Sequence, residues 1–122
     1  MNSNGDLPQA VLDRLWQRGR ELLGTRYAIM GGAMSWVSEQ HLVAAISNAG
    51  GFGVLACGSL GPEQLKDEIE GTKSRTDKPF GVNLITMHPQ LDALIGLCLA
   101  ERVSHVVLAG GLPTANAIRR IK

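Results

Sequence analysis

Along the chain, short and largely apolar runs alternate with longer stretches in which apolar residues recur every three or four positions. The runs occupy residues 27–30, 53–56, 80–84 and 105–109. Lacking a polar face, they predict strands buried on both sides. After each run comes helical spacing. Leu42, Ile46 and Ala49 line one helical face, Leu65 and Ile69 a second, and Leu91, Leu94, Ile95 and Cys98 a third, while Ala117, Ile118 and Ile121 begin a fourth. Ahead of these, Val11, Leu12, Leu15, Trp16, Leu22 and Leu23 mark an amphipathic lead-in helix over residues 7–23 that Gly24 stops.

Turn chemistry marks the joints. Pro62, Pro89 and Pro113 each stand where a first helical turn is expected, a position that needs no N–H. Asn48, Ala49, Gly50 and Gly51 read as a helix C-cap that requires a left-handed residue. Four βα units predict an α/β fold with a parallel sheet, and a repeat of roughly 25 to 28 residues suits either a (β/α) barrel of TIM type or a doubly wound sheet. Periodicity does not separate these two. A whole barrel takes about 250 residues and eight units. The 122 residues here are therefore expected to form about four, a half or truncated barrel. Residues 1–24 would be the lead-in helix and residues 25–122 the N-terminal half of the barrel domain. The chain reads as stopping inside its fourth helix, at Arg119, Arg120, Ile121 and Lys122.

Charge narrows the partners. Twelve Lys and Arg against eleven Asp and Glu give a net charge of +1, no field for nucleic acid or an anionic membrane. A small molecule or another protein is the expected partner, and open barrel edges are expected to permit self-association. Cys57 and Cys98 have neither metal-ligand nor disulfide-framework spacing, which favours a reducing, cytoplasmic setting. Residues 1–8 are polar and acidic rather than basic then apolar, so no export signal is read, and no run reaches the roughly 18 apolar residues of a membrane span.

In both α/β architectures ligands sit at the carboxyl ends of the strands. Four segments qualify: residues 31–35, 57–59, 83–88 and 110–111. They contain Gly, Ala, Met, Ser and Asn but no Asp, Glu, Lys or Arg. Such a lining offers little acid or base, yet it lets the backbone approach a flat, uncharged ring. The plainer readings stand beside this one. Gly31-Gly32 is equally a tight βα turn. Asn83 either caps a turn or meets a ligand, and if buried it needs hydrogen-bond partners. His88, just before Pro89, reads as an N-cap or exposed residue. Met34 and Met87 could be core filler, Cys57 reads as a small buried residue, and His41 as an exposed helical one. Gly51, Gly53 and Ala56 approximate a dinucleotide fingerprint, but they precede a strand instead of joining a strand to a helix.

The blocks "IMGGAMSWVS", "AAISNAGGFGVL", "TDKPFGVNLITMHP" and "VSHVVLAGG", in that order, resemble the N-terminal half of the nitronate monooxygenase (2-nitropropane dioxygenase) family. Flavin-dependent enoyl-acyl-carrier-protein reductases of the same superfamily share these blocks. The resemblance implies a TIM barrel holding FMN at its carboxyl face and oxidising alkyl nitronates with O2 to carbonyl compounds and nitrite. It places Ala33, Met34 and Ser35 against the flavin ring and has Asn83 hydrogen-bond FMN. No catalytic residue and no metal ligand fall on matching positions. Ala28 and Gly31 stand where many members have Pro and Gln. The family's active-site histidine and phosphate-binding loops are expected beyond Lys122. A different class, a non-catalytic half-barrel assembly module, is the alternative.

Overall fold

The computed structural model describes residues 6–122, with side chains from Pro8 onward. The polar character of residues 1–5 lies outside the described residues. Nine elements follow one another: α1 (Asp6–Leu23), β1 (Met30–Gly31), α2 (Gln40–Asn48), β2 (Phe52–Ala56), α3 (Pro62–Arg75), β3 (Phe80–Ile85), α4 (Leu91–Ala100), β4 (His105–Ala109) and α5 (Ala115–Ile121).

The strands form one parallel sheet in the order β1-β2-β3-β4. A doubly wound sheet reverses its strand order at a switch point. Here each strand pairs with the next in sequence, and right-handed crossovers then carry every helix to the same face. The sheet is therefore of barrel type, which settles the alternative that periodicity left open.

Alternation along the strands sorts the side chains. Leu55, Cys57, Val82 and Leu84 face the helices and pack with Val43, Leu65, Ile69, Leu94 and Ile95. Phe52 and Val54 face the other, concave side, where Leu23, Ala33 and Val107 join them. The Phe52 ring meets His105 edge-on at 4.9 Å. At Gly53 the backbone of α2 approaches closely, since a Cβ there would stand 2.5 Å from the Val43 carbonyl oxygen. Asn48, Ala49, Gly50 and Gly51 do end α2. Gly50 takes φ +97°, and the Gly50 and Gly51 amides donate to the Ser47 and Ile46 carbonyls, a Schellman motif.

Several expectations shift. The first strand spans only Met30–Gly31, not residues 27–30. Tyr27 donates instead to the Gly50 carbonyl and leaves the ladder. Pro62 opens α3 as expected. Pro89 and Pro113 sit one residue ahead of the N-caps, Gln90 and Thr114, rather than in the first turn. At α5 the reason is visible, since the Thr114 hydroxyl caps the Ala117 amide. The lead-in helix buries Leu23 but leaves Val11, Leu12, Leu15 and Leu22 exposed. Cys57 and Cys98 are both free and buried. No helix among the described residues is long and apolar enough to cross a membrane.

Candidate cofactor-binding face

The carboxyl ends of the four strands bring the four uncharged loops side by side. A Cβ on Gly58 would lie 3.7 Å from Ser35 Oγ and 3.5 Å from Ile85, and one on Gly110 3.0 Å from Ile85. The loops after β1, β2, β3 and β4 therefore touch in sequence along one rim.

The first loop is organised by a residue that sequence reasoning passed over. Ser38 is only 5% exposed. Its hydroxyl accepts the Met34 N–H at 2.9 Å and donates to the Gly32 carbonyl at 3.2 Å. Its own carbonyl accepts the Ala56 N–H from β2 at 3.0 Å, and its N–H donates to Met34 O at 2.9 Å. Ser38 thus pins both ends of the segment that holds Ala33, Met34 and Ser35. Within the knot Trp36 adopts φ +65°, a left-handed conformation that a bulky side chain holds only at a cost of about 1–3 kcal/mol. A serine six residues after the Gly31-Gly32 pair was the available signal. Glu39 follows as the N-cap of α2. Burial opposes its charge, but bonds from the His41 ring and from the Leu42 and His41 amides prevail and hold its carboxyl at about 2. The His41 ring, exposed as expected, pairs with Glu39 at 2.7 Å and also meets Arg75 at 3.0 Å.

Asn83 belongs to the concave side. It stands in register with Ala56 on β2 and Val107 on β4, and Val107 packs in the concave cluster. The residue is half-buried, and its amide forms no hydrogen bond within the described residues. It is not capping a turn. Ala33 touches the same cluster from the first loop. Met34 and Ser35 are exposed, so Met34 is not core filler, and neither is Met87. His88 is half-buried ahead of α4, its Nδ1 accepting the Gln90 N–H at 3.0 Å. Just past the end of β3, the Thr86 hydroxyl is buried without a partner, and a Cβ on Gly111 would stand 3.1 Å from it.

These residues fit a flat, neutral ring. Gly32 has open space where a side chain would be. Asn83 offers a free donor and acceptor, and no charge intervenes. A hollow of about 270 Å³ lies at the opposite, amino end of the sheet, among Gly24, Arg26, Asn48, Gly50 and Lys78. The carboxyl rim is the stronger candidate nonetheless, since α/β sheets bind ligands there. Among the described residues no cluster of His, Cys, Asp and Glu could hold a metal. The Gly51, Gly53 and Ala56 triplet lies in and just ahead of β2, not in a strand-to-helix turn, and forms no dinucleotide site.

Fold and rim together define a (β/α) barrel-type protein with an uncharged rim of short segments at its carboxyl face. The comparisons narrow the class: the nitronate monooxygenase family profile matches residues 17–118, and the chain belongs to that family. A Rhodococcus jostii protein named (3aS,4S,5R,7aS)-5-hydroxy-7a-methyl-1-oxo-octahydro-1H-indene-4-carboxyl-CoA dehydrogenase is 36% identical over 104 residues, 84% of this chain and 29% of that protein. A probable nitronate monooxygenase from Staphylococcus aureus is 33% identical over 78 residues, 62% of this chain and 22% of that one. FabK from Thermotoga maritima superposes with TM-score 0.79 at 34% identity, covering 85% of this chain and 34% of that chain. A nitroalkane oxidase from Streptomyces ansochromogenes gives TM-score 0.75 at 26% identity over 84% of this chain and 38% of that one. The chain thus spans between a fifth and two fifths of the length of these relatives.

Proposed function

We propose that this chain supplies the first four βα units of an FMN-dependent oxidoreductase that oxidises alkyl nitronates with O2 to carbonyl compounds and nitrite, in the cytoplasm. Bound FMN would supply the redox chemistry, while the protein supplies binding and orientation. In this reading Ala33, Met34 and Ser35 lie against the ring, held by Ser38, and the Asn83 amide hydrogen-bonds it. The observation that carries the reading is Asn83, a half-buried amide without a partner on the concave side. No residue of the rim is assigned as acid or base, because residues 31–35, 57–59, 83–88 and 110–111 include no Asp, Glu, Lys or Arg. A second reading, reduction or oxidation of an acyl thioester at the same flavin, is favoured by the Rhodococcus relative with its carboxyl-CoA name.

The test is FMN titration, by absorbance and fluorescence, of the 122-residue chain and of a form extended to eight βα units. An extended form that stays colourless and unresponsive would remove the flavin reading. Asn83→Ala is expected to weaken FMN retention in the extended form by about tenfold, the loss of roughly one charge-free hydrogen-bonded contact. Unchanged retention would take Asn83 out of the site. Anaerobic mixing with a nitronate or with an enoyl thioester and a nicotinamide donor then separates the two activities.

A further inference from the structure

Among the described residues, the Thr86 hydroxyl is the buried side-chain polar group that makes no hydrogen bond. Burial without a partner is unfavourable, and in a native protein such a group calls for a reason. Its backbone is engaged, because the Thr86 N–H donates to the Ala109 carbonyl at 2.8 Å and ties the end of β3 to the end of β4. The hydroxyl is thus fixed at a joint of the carboxyl rim, three residues beyond Asn83.

The turn after β4 passes beside it. A Cβ on Gly111 would stand 3.1 Å from the Thr86 oxygen, so the backbone there lies within reach. Yet the Gly111 N–H donates to no carbonyl among the described residues. A donor and an acceptor lie close together, and neither is used. Gly110 and Gly111 have φ of +81° and +152°, which glycine alone holds without strain, and no side chain resists rotation of the peptide that joins them. Both flanks are anchored. Ala109 is held by the Thr86 N–H, and Thr114 is the N-cap of α5, its hydroxyl accepting the Ala117 N–H at 3.2 Å. A trans peptide carries its N–H and C=O on opposite sides. Turning the Gly111 N–H onto the Thr86 oxygen therefore points the Gly110 carbonyl the other way, toward the rim.

We propose that Thr86 is a latch for this peptide: on flavin binding the Gly111 N–H donates to the Thr86 hydroxyl, and the Gly110 carbonyl accepts from an N–H of the flavin ring. Thr86 is a positioning residue, since it acts through the turn and does not touch the ring. The proposal rests on the flavin reading for its ligand. Because the latch bond forms only in the bound state, it contributes to affinity and not to the stability of the flavin-free fold.

The test compares the eight-unit protein with its Thr86→Val and Thr86→Ser variants. Without flavin, Thr86→Val should unfold at a urea midpoint equal to or above that of wild type, because the hydroxyl it removes is unpaired. Its FMN affinity should fall about fivefold, the value of one hydrogen bond, and Thr86→Ser should restore it. Amide hydrogen exchange reads the latch itself. In wild type the Gly111 amide should exchange freely without FMN and slow by about tenfold with it, whereas in Thr86→Val it should not slow. FMN methylated at its ring N–H cannot bond the Gly110 carbonyl, so with it wild type should lose its advantage over Thr86→Val. The latch is overturned by a lower urea midpoint for flavin-free Thr86→Val, by a Gly111 amide protected before FMN is added or unprotected after, or by an undiminished advantage with the methylated flavin. If FMN binds wild type and Thr86→Val equally, the latch alone falls. If wild type takes up no FMN, the flavin reading falls and the latch with it.

Discussion

Ser38→Ala removes a single oxygen and introduces no bulk, so its effect isolates the knot behind the candidate flavin seat. That oxygen joins the Met34 N–H at 2.9 Å to the Gly32 carbonyl at 3.2 Å. Each bond contributes about 0.5–1.5 kcal/mol net, and water at the exposed Gly32 and Met34 repairs part of the loss, so the expected cost is about 1–2 kcal/mol. Ser47→Ala is a matched control at the opposite end of the sheet. Its hydroxyl donates to Pro79 O at 2.9 Å and accepts the Gly53 N–H at 3.2 Å, and Gly53 is buried beyond the reach of water. The expected cost there is larger, about 2–3 kcal/mol. Urea unfolding of both variants should rank them in that order. FMN titration of the eight-unit form should rank them the other way, with Ser38→Ala losing about tenfold in affinity, roughly 1.4 kcal/mol, because a released loop must be re-ordered on binding. Ser47→Ala should lose almost none. If Ser38→Ala changes neither stability nor affinity, or if the two serines cost equal affinity, the knot does not hold the seat.

Further outcomes follow from packing and titration. Gly53→Ala would put a Cβ 2.5 Å from the Val43 carbonyl and 2.9 Å from its Cα; pushing the α2 backbone off β2 should cost about 1–3 kcal/mol in urea unfolding, and a wild-type midpoint would contradict the close approach. Burial pushes the Cys57 thiol up to about 11 and, together with the nearby Cys57, the Cys98 thiol up to about 12. Neither should react measurably with iodoacetamide at pH 8 until the chain is unfolded, and rapid labelling of the native protein would refute the burial. The Glu39 carboxyl is held at about 2, below its ordinary 4.5. Its contribution is therefore present in full above about 4.5 and lost as pH falls through about 2, so Glu39→Gln should flatten the acid limb of stability against pH in that window. An acid limb identical to wild type would show that the cap carries no linked proton.

How much was legible in the sequence depended on whether the deciding forces act locally. Apolar runs and helical spacing placed β2, β3, β4 and the helices α2 to α5, because a strand covered on both faces and a helix with one buried stripe leave different periods. The Gly50 cap and the Pro62 start were equally readable, since backbone conformation at those points follows from the residue itself. Pro89 and Pro113 were misplaced by a residue or two because the caps belong to Gln90 and Thr114. The first strand shortened because Tyr27 pairs with Gly50, a contact between loops that no local pattern encodes.

The bare, charge-free composition of the four carboxyl loops and the order of the βα units belong to the sequence by itself. Only the tertiary structure decided between barrel and doubly wound sheet, because both share one period and differ in which strand lies beside which. It also decided the character of the rim. Alternation along β3 puts Asn83 on the concave side without a partner, and Ser38 reaches back across its own loop to tie Gly32 and Met34 together. Such hydrogen bonds join groups whose separation is set by the folded backbone, and the sequence records the residues without recording that distance.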